Sequence, residues 1–125
     1  MSIAARVGIV VLLAGWAFVL ASMVGFNRGD PPGHVLWPPN SPVANWCGPF
    51  GATIAYTLFK LLGFGAWPLV VCFGIGLLWA AGGARVSGQL TRLVGLVMLS
   101  CAVAGLQARL FRGTGALPDL PGGLV

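Results

Sequence analysis

Two aspartates, one histidine, three cysteines and a single lysine are the residues of this 125-residue chain with side chains best suited to chemistry. A general acid/base couple, or a carboxylate metal site, needs two acids within reach of each other. Asp30 and Asp119 stand in separate loops, far apart in the sequence. His34 lies alone in a proline-rich stretch, where a solvated loop residue is the plain reading. Cys47, Cys72 and Cys101 form no CxxC and no Cys/His spacing, and their odd count implies no disulfide framework. Cys72 and Cys101 lie within apolar runs, where a thiol behaves as a small buried hydrophobe. No GxxxxGK[ST] loop is present to cradle phosphate, and Gly74-Ile75-Gly76 reads as a packing notch inside an apolar helix. By residue supply the chain is expected to be no enzyme, to take no cofactor and to hold no metal.

The elements that would position these residues belong in lipid. Hydrophobic residues make up 58% of the chain and charged ones 7%, too few to cover a soluble domain of this size. The seven basic residues that give the net charge of +5 are dispersed singly, with no run or stripe, so direct nucleic-acid binding is not expected. They suit positions flanking membrane segments, where they meet lipid headgroups.

One stretch resists this pattern. Residues 26–51, FNRGDPPGHVLWPPNSPVANWCGPFG, hold six of the nine prolines, one of the two acids and the histidine. Asp30-Pro31-Pro32-Gly33 and Trp37-Pro38-Pro39-Asn40 are turn and extended signals, because proline fixes φ and restricts the residue before it. Trp37 and Trp46 suit the lipid–water interface. A loop over 26–49 therefore separates a first span, about 7–26, from the later apolar runs. A cleaved signal peptide is the rival reading of that first span, but signal h-regions run only about 7–15 residues.

Residues 49–84 read as a single helix would be about 54 Å long, against a hydrocarbon core of about 30 Å. Gly63-Phe64-Gly65 offers a break, and Pro68 suits the first turn of a new helix. Before the break, Thr53, Tyr56, Thr57 and Lys60 fall at i, i+3, i+4 and i+7, with Ile54, Leu58, Leu61 and Leu62 expected on the other side. The spacing predicts a short amphipathic interfacial helix at 50–62 and a second span at 66–84. Arg85 to Arg92 reads as a turn. A third span at 90–110 reaches across if Arg92 and Arg109 snorkel. Residues 113–125 read as loop. The expected fold is thus all-α, one integral membrane domain over 1–125, with three transmembrane helices and one interfacial helix.

Small residues recur at four-residue spacing: Ala17, Ala21 and Gly25; Cys72, Gly76, Ala80 and Ala84; Ser100, Ala104 and Ala108. Such stripes let helices approach closely, and homo-oligomerisation through the spans is expected from them. Charge does not orient the molecule. Arg6, Arg85 and Arg92 share one side, while Arg28, Lys60, Arg109 and Arg112 share the other.

With the loop and the split segment in place, the chain resembles the N-terminal membrane region of FtsK/SpoIIIE-type bacterial DNA translocases. The resemblance rests on Phe26-Asn27-Arg28-Gly29-Asp30-Pro31 at the end of the first span. It continues in Asn45-Trp46-Cys47-Gly48-Pro49-Phe50-Gly51-Ala52, where the loop closes. Gly122-Gly123-Leu124-Val125 is similar to the opening of that family's fourth span, so a fourth span would come next. Arg28 stands where relatives often carry proline, and Tyr56 where they often carry an acid. The resemblance implies an anchor in the bacterial inner membrane, with a cytoplasmic N-terminus and the 26–49 loop outside. It further implies positioning of a hexameric, ATP-driven motor at the division septum, in cell division and chromosome segregation. Membrane lipid, other copies of the chain and septum proteins are its expected partners. A stand-alone membrane protein, such as a holin-like pore former or an accessory subunit, is the alternative.

Overall fold

A computed structural model describes residues 2–33, 37–83 and 88–110, without the side chains of residues 89 and 90. Among these residues every regular element is helical, as expected of an all-α membrane protein, and three helices are long and apolar enough to cross a bilayer. His34, Ala84, Arg85, Arg112, Asp119 and the 113–125 loop lie outside the described residues.

The first helix, α1 (Ile3–Val24), begins before position 7 because Ser2 caps it, its Oγ accepting from the Ala5 N–H at 3.3 Å. Its 22 residues span about 33 Å, enough to cross the hydrocarbon core. It stops at Gly25, just short of the expected boundary, where the Gly25 N–H closes on the Ala21 carbonyl.

The apolar run after the loop divides where its glycines suggested. Helix α2 (Gly48–Leu62) ends at Gly63, whose φ of 53° is easy only for glycine, and one 3-10 turn, Gly63–Gly65, leads into α3 (Ala66–Ala81). Pro68 sits in the first turn of α3, where its missing N–H costs no hydrogen bond. The 16 residues of α3 cover about 24 Å. With the 3-10 turn the descending segment reaches about 30 Å, the thickness it has to cross. The last helix, α4 (Gln89–Leu110), lies within one residue of the expected span.

Packing uses small residues and a few large ones set into them. The Trp16 indole fits against α3 only because residue 74 is glycine; a Cβ there would collide with the ring. Its Nε1–H donates to the Val70 carbonyl at 2.8 Å. Met23, Ala55, Phe59, Ala66 and Val70 form the buried centre, with Phe26 and Trp67 rings packed on Phe59 at centroid distances of 4.9 and 6.3 Å. Gly65 lies against the Ser100 carbonyl and Ala104 of α4. Beside it, the buried Gln107 Oε1 accepts from the Phe64 N–H at 2.9 Å, meeting a donor that the helix break exposes.

Burial along α2 follows small residues more than large ones. Its buried stripe is Gly51, Ala52, Ala55 and Phe59, whereas Leu61 is exposed and Ile54, Leu58 and Leu62 are only half-buried. Lipid tails are as apolar as leucine, so burial of large side chains gains little, and contact goes to the residues that allow close approach. The same reason places Val10, Leu78, Trp79 and Met98 on the outside of the bundle. Cys72 is likewise exposed, on the apolar exterior of α3, and Cys101 is half-buried.

Candidate functional site

The candidate site is the seam between the proline-rich loop and the C-terminal end of α1, and Asp30 is its centre. Only 4% of this residue is exposed. Its Oδ1 accepts from Asn40 Nδ2 at 2.8 Å and from the Ala44 N–H at 2.9 Å, while Oδ2 accepts from the Asn45 N–H at 2.8 Å. Burying a carboxylate in protein costs several kcal/mol, on the order of the desolvation of one ion, and three donors offset that cost. Asp30 thereby ties the start of the loop to its end.

Two asparagines extend the tie. Asn27 Oδ1 accepts from the Gly29 N–H at 2.9 Å and from Asn40 Nδ2 at 3.3 Å, forming an Asx turn as α1 gives way to loop. Asn45 is buried and works in both directions: Nδ2 donates to the Ser22 carbonyl at 2.9 Å, and Oδ1 accepts from the Cys47 N–H at the same distance. Ser22 lies in the last turn of α1, where a carbonyl has no partner within the helix. Asn45 thus caps α1 and positions the start of α2.

The glycines of the motif have steric reasons. Gly48, at φ 67°, turns the chain into α2. At Gly51 a Cβ would collide with Cys47 and stand 2.8 Å from both Asn45 Oδ1 and Ser22 Oγ. Ala52 is buried beside it. The seam therefore gathers Phe26, Asn27, Asp30, Asn45, Gly48, Gly51 and Ala52, which are spread over 27 positions of sequence, at one end of the bundle. Pro31 is exposed and, with Pro39, Ser41, Pro42 and Val43, lines an open cleft of about 600 Å³ beside the network.

The seam also sets where α2 begins. Phe50 packs near Phe18 at a ring-centroid distance of 6.2 Å, the Cys47 thiol donates to the Phe18 carbonyl at 3.6 Å, and Phe59 meets Phe26. Helix α2 therefore runs alongside the last two turns of α1 in the same chain direction. Its polar residues turn away: Thr53, Thr57 and Lys60 are exposed, and the Lys60 ammonium lies 5.9 Å from the centroid of the half-buried Tyr56 ring. Trp37, Trp46 and Phe50 are 90%, 73% and 72% exposed at this end.

The small-residue stripes are used unevenly within the chain. Ser100 and Ala104 are buried where α4 meets the Gly63–Gly65 turn, and Gly25 lies against Trp46. Ala21, Ala80 and Ala108 are half-buried, Ala17 and Cys72 are exposed, and a Cβ on Gly76 would meet nothing within 4 Å. Sequence reasoning missed Asn40, Ala44, Ser22, Trp16 and Gln107. Of these, Pro39-Asn40 had a turn signal, and Gln107 stood out as a polar residue in an apolar run. Among the described residues no group of three His, Cys, Asp or Glu side chains could hold a metal, and no buried side-chain N or O lacks a hydrogen-bond partner.

Seven residues of this seam, Phe26, Asn27, Asp30, Asn45, Gly48, Gly51 and Ala52, are among those on which the resemblance rested, while Asn40 and Ala44 are not. Residues 3–125 match the family model described as the 4TM region of DNA translocase FtsK/SpoIIIE. The chain belongs to that family. No curated protein and no solved structure matches it. The region matched is a membrane region of the translocase and not its motor, in keeping with three helices able to cross a bilayer and a polar network that performs structural work.

Proposed function

We propose that this chain is the membrane anchor of an FtsK-like DNA translocase, acting in cell division and chromosome segregation and contributing no ATPase activity itself. The observation that carries the reading is the Asp30–Asn45–Gly51 seam, in which residues on which the resemblance rests build a hydrogen-bonded junction instead of a reaction centre. In this reading the anchor sits in the bacterial inner membrane with its N-terminus in the cytoplasm and the proline-rich loop outside. The exposed Trp37 and Trp46 meet the outer interface or a septum protein, and several copies associate through their spans.

Two measurements test it. A fluorescent protein fused to the chain should collect at the division septum, and an even distribution around the envelope would sink the septal role. For orientation, Ser41→Cys in a Cys47→Ser background offers an exposed thiol on the loop. A membrane-impermeant maleimide should label it in intact spheroplasts, and labelling only after lysis would reverse the topology.

A further inference from the structure

The helices of the bundle are staggered along its length. The Trp16 indole reaches the Val70 carbonyl, which sets the middle of α1 level with the first half of α3. Five residues earlier, in the turn that precedes α3, Gly65 lies against the Ser100 carbonyl of α4. Ser100 therefore stands about 8 Å nearer the loop end than Trp16. The apolar groove between α1 and α4 keeps the same register, with Leu93 and Leu96 on one wall and Leu12 and Gly15 on the other. Counting back along α4 from Ser100 puts Arg92 level with Leu13 of α1, about 10 Å nearer the loop end than Arg6.

That level lies inside the hydrocarbon. From Gly25, where α1 gives way to polar loop, a core of about 30 Å reaches back to Arg6. From Gly25 to the level of Arg92 is only about 18 Å. Moving the bilayer toward the loop end would free Arg92, but it would sink the exposed Asn27 and Arg28 into lipid. Arg109 is different, for it stands more than one turn beyond Gly25.

Arg92 is exposed, so its guanidinium faces the lipid side of α4. Among the described residues the only acid is Asp30, which stands at the opposite end with its oxygens occupied by three donors. A cation held in hydrocarbon draws the polar surface toward itself, by snorkelling and by thinning the bilayer locally. The guanidinium fork pairs bidentately with phosphate. A free anion would have to enter hydrocarbon alone to reach it, whereas a phospholipid brings its phosphate on its own acyl chains.

We propose that Arg92 is a phospholipid site: its guanidinium binds a lipid phosphate drawn into the leaflet away from the loop, and the bilayer is thinned along that flank of α4. The inference needs only that the helices span a membrane, and it stands or falls separately from the septal role.

Two measurements on the full protein, expressed from its own gene and placed in phospholipid bilayers, test it. Solid-state NMR of arginine-labelled protein reads the dipolar contact between guanidinium nitrogen and lipid phosphorus. One contacting signal should vanish in Arg92→Lys; if none vanishes, Arg92 touches no phosphate and the site is overturned. Thermal stability is then followed across phosphatidylcholine bilayers of increasing acyl length. The parent should be most stable in short-chain lipid, and Arg92→Leu should move the optimum to chains several carbons longer. Arg92→Lys, which keeps the charge, should keep the parent's optimum, and so should Arg109→Leu. An optimum unmoved by Arg92→Leu, or moved equally by Arg109→Leu, would overturn the thinning.

Discussion

A carboxylate as enclosed as that of Asp30 stays buried only while its donors stay in place. Asp30→Asn presents an N–H₂ group to a backbone N–H or to Asn40 and leaves at least one donor unmet, at a cost of about 1–3 kcal/mol. The melting temperature in detergent should fall accordingly, and unchanged melting would show that the network contributes nothing. Gly51→Ala should be as damaging for a different reason. Its new methyl meets Cys47, Asn45 and Ser22 in a packed corner, and overpacking of this kind costs about 1–3 kcal/mol. The turn at Asp30-Pro31 was legible from sequence because proline and glycine speak for themselves. The partners of Asp30 were not, since Ala44 and Asn45 reach it with main-chain N–H groups 14 and 15 positions away, and main-chain donors leave no mark in a sequence.

Among the elements, the division of residues 49–84 was the most legible feature. A run too long for one span, a Gly-Phe-Gly break and a proline at a helix start all pointed to the same boundary, and the 3-10 turn falls there. The buried face of α2 was illegible because the apolar pattern singles out large residues, while packing in this bundle selects small ones such as Gly51 and Ala55. Gln107 holds the break from across the bundle. Gln107→Leu keeps much of the volume but strips the Phe64 N–H of its acceptor, which should destabilise the α3–α4 pair by about 1–3 kcal/mol. Thermal unfolding followed by circular dichroism checks this. A variant as stable as the parent would mean that Phe64 has found another acceptor.

For the molecule as a whole, two glycines two residues apart on α3 separate folding from association. Gly74 receives the Trp16 ring, so Gly74→Leu should unseat α1 and lower the melting temperature sharply. A side chain at Gly76 meets nothing within the chain, so Gly76→Leu should leave the monomer fold intact. If copies pack on that face, the same change should shift the oligomer distribution in a sizing experiment. An unchanged distribution would remove this face from the interface. The three spanning helices were legible from apolar length alone, but their orientation was not, because the basic residues divide almost evenly between the two sides. Trp16, Asn45 and Gln107 each tie one element to another through a bond that ends on the main chain, at Val70, Ser22 and Phe64 respectively. Only one member of each pair has to be a particular amino acid. Relatives can therefore drift at the receiving positions while keeping the same joints, so ancestry here would show in a few scattered signposts more than in overall resemblance.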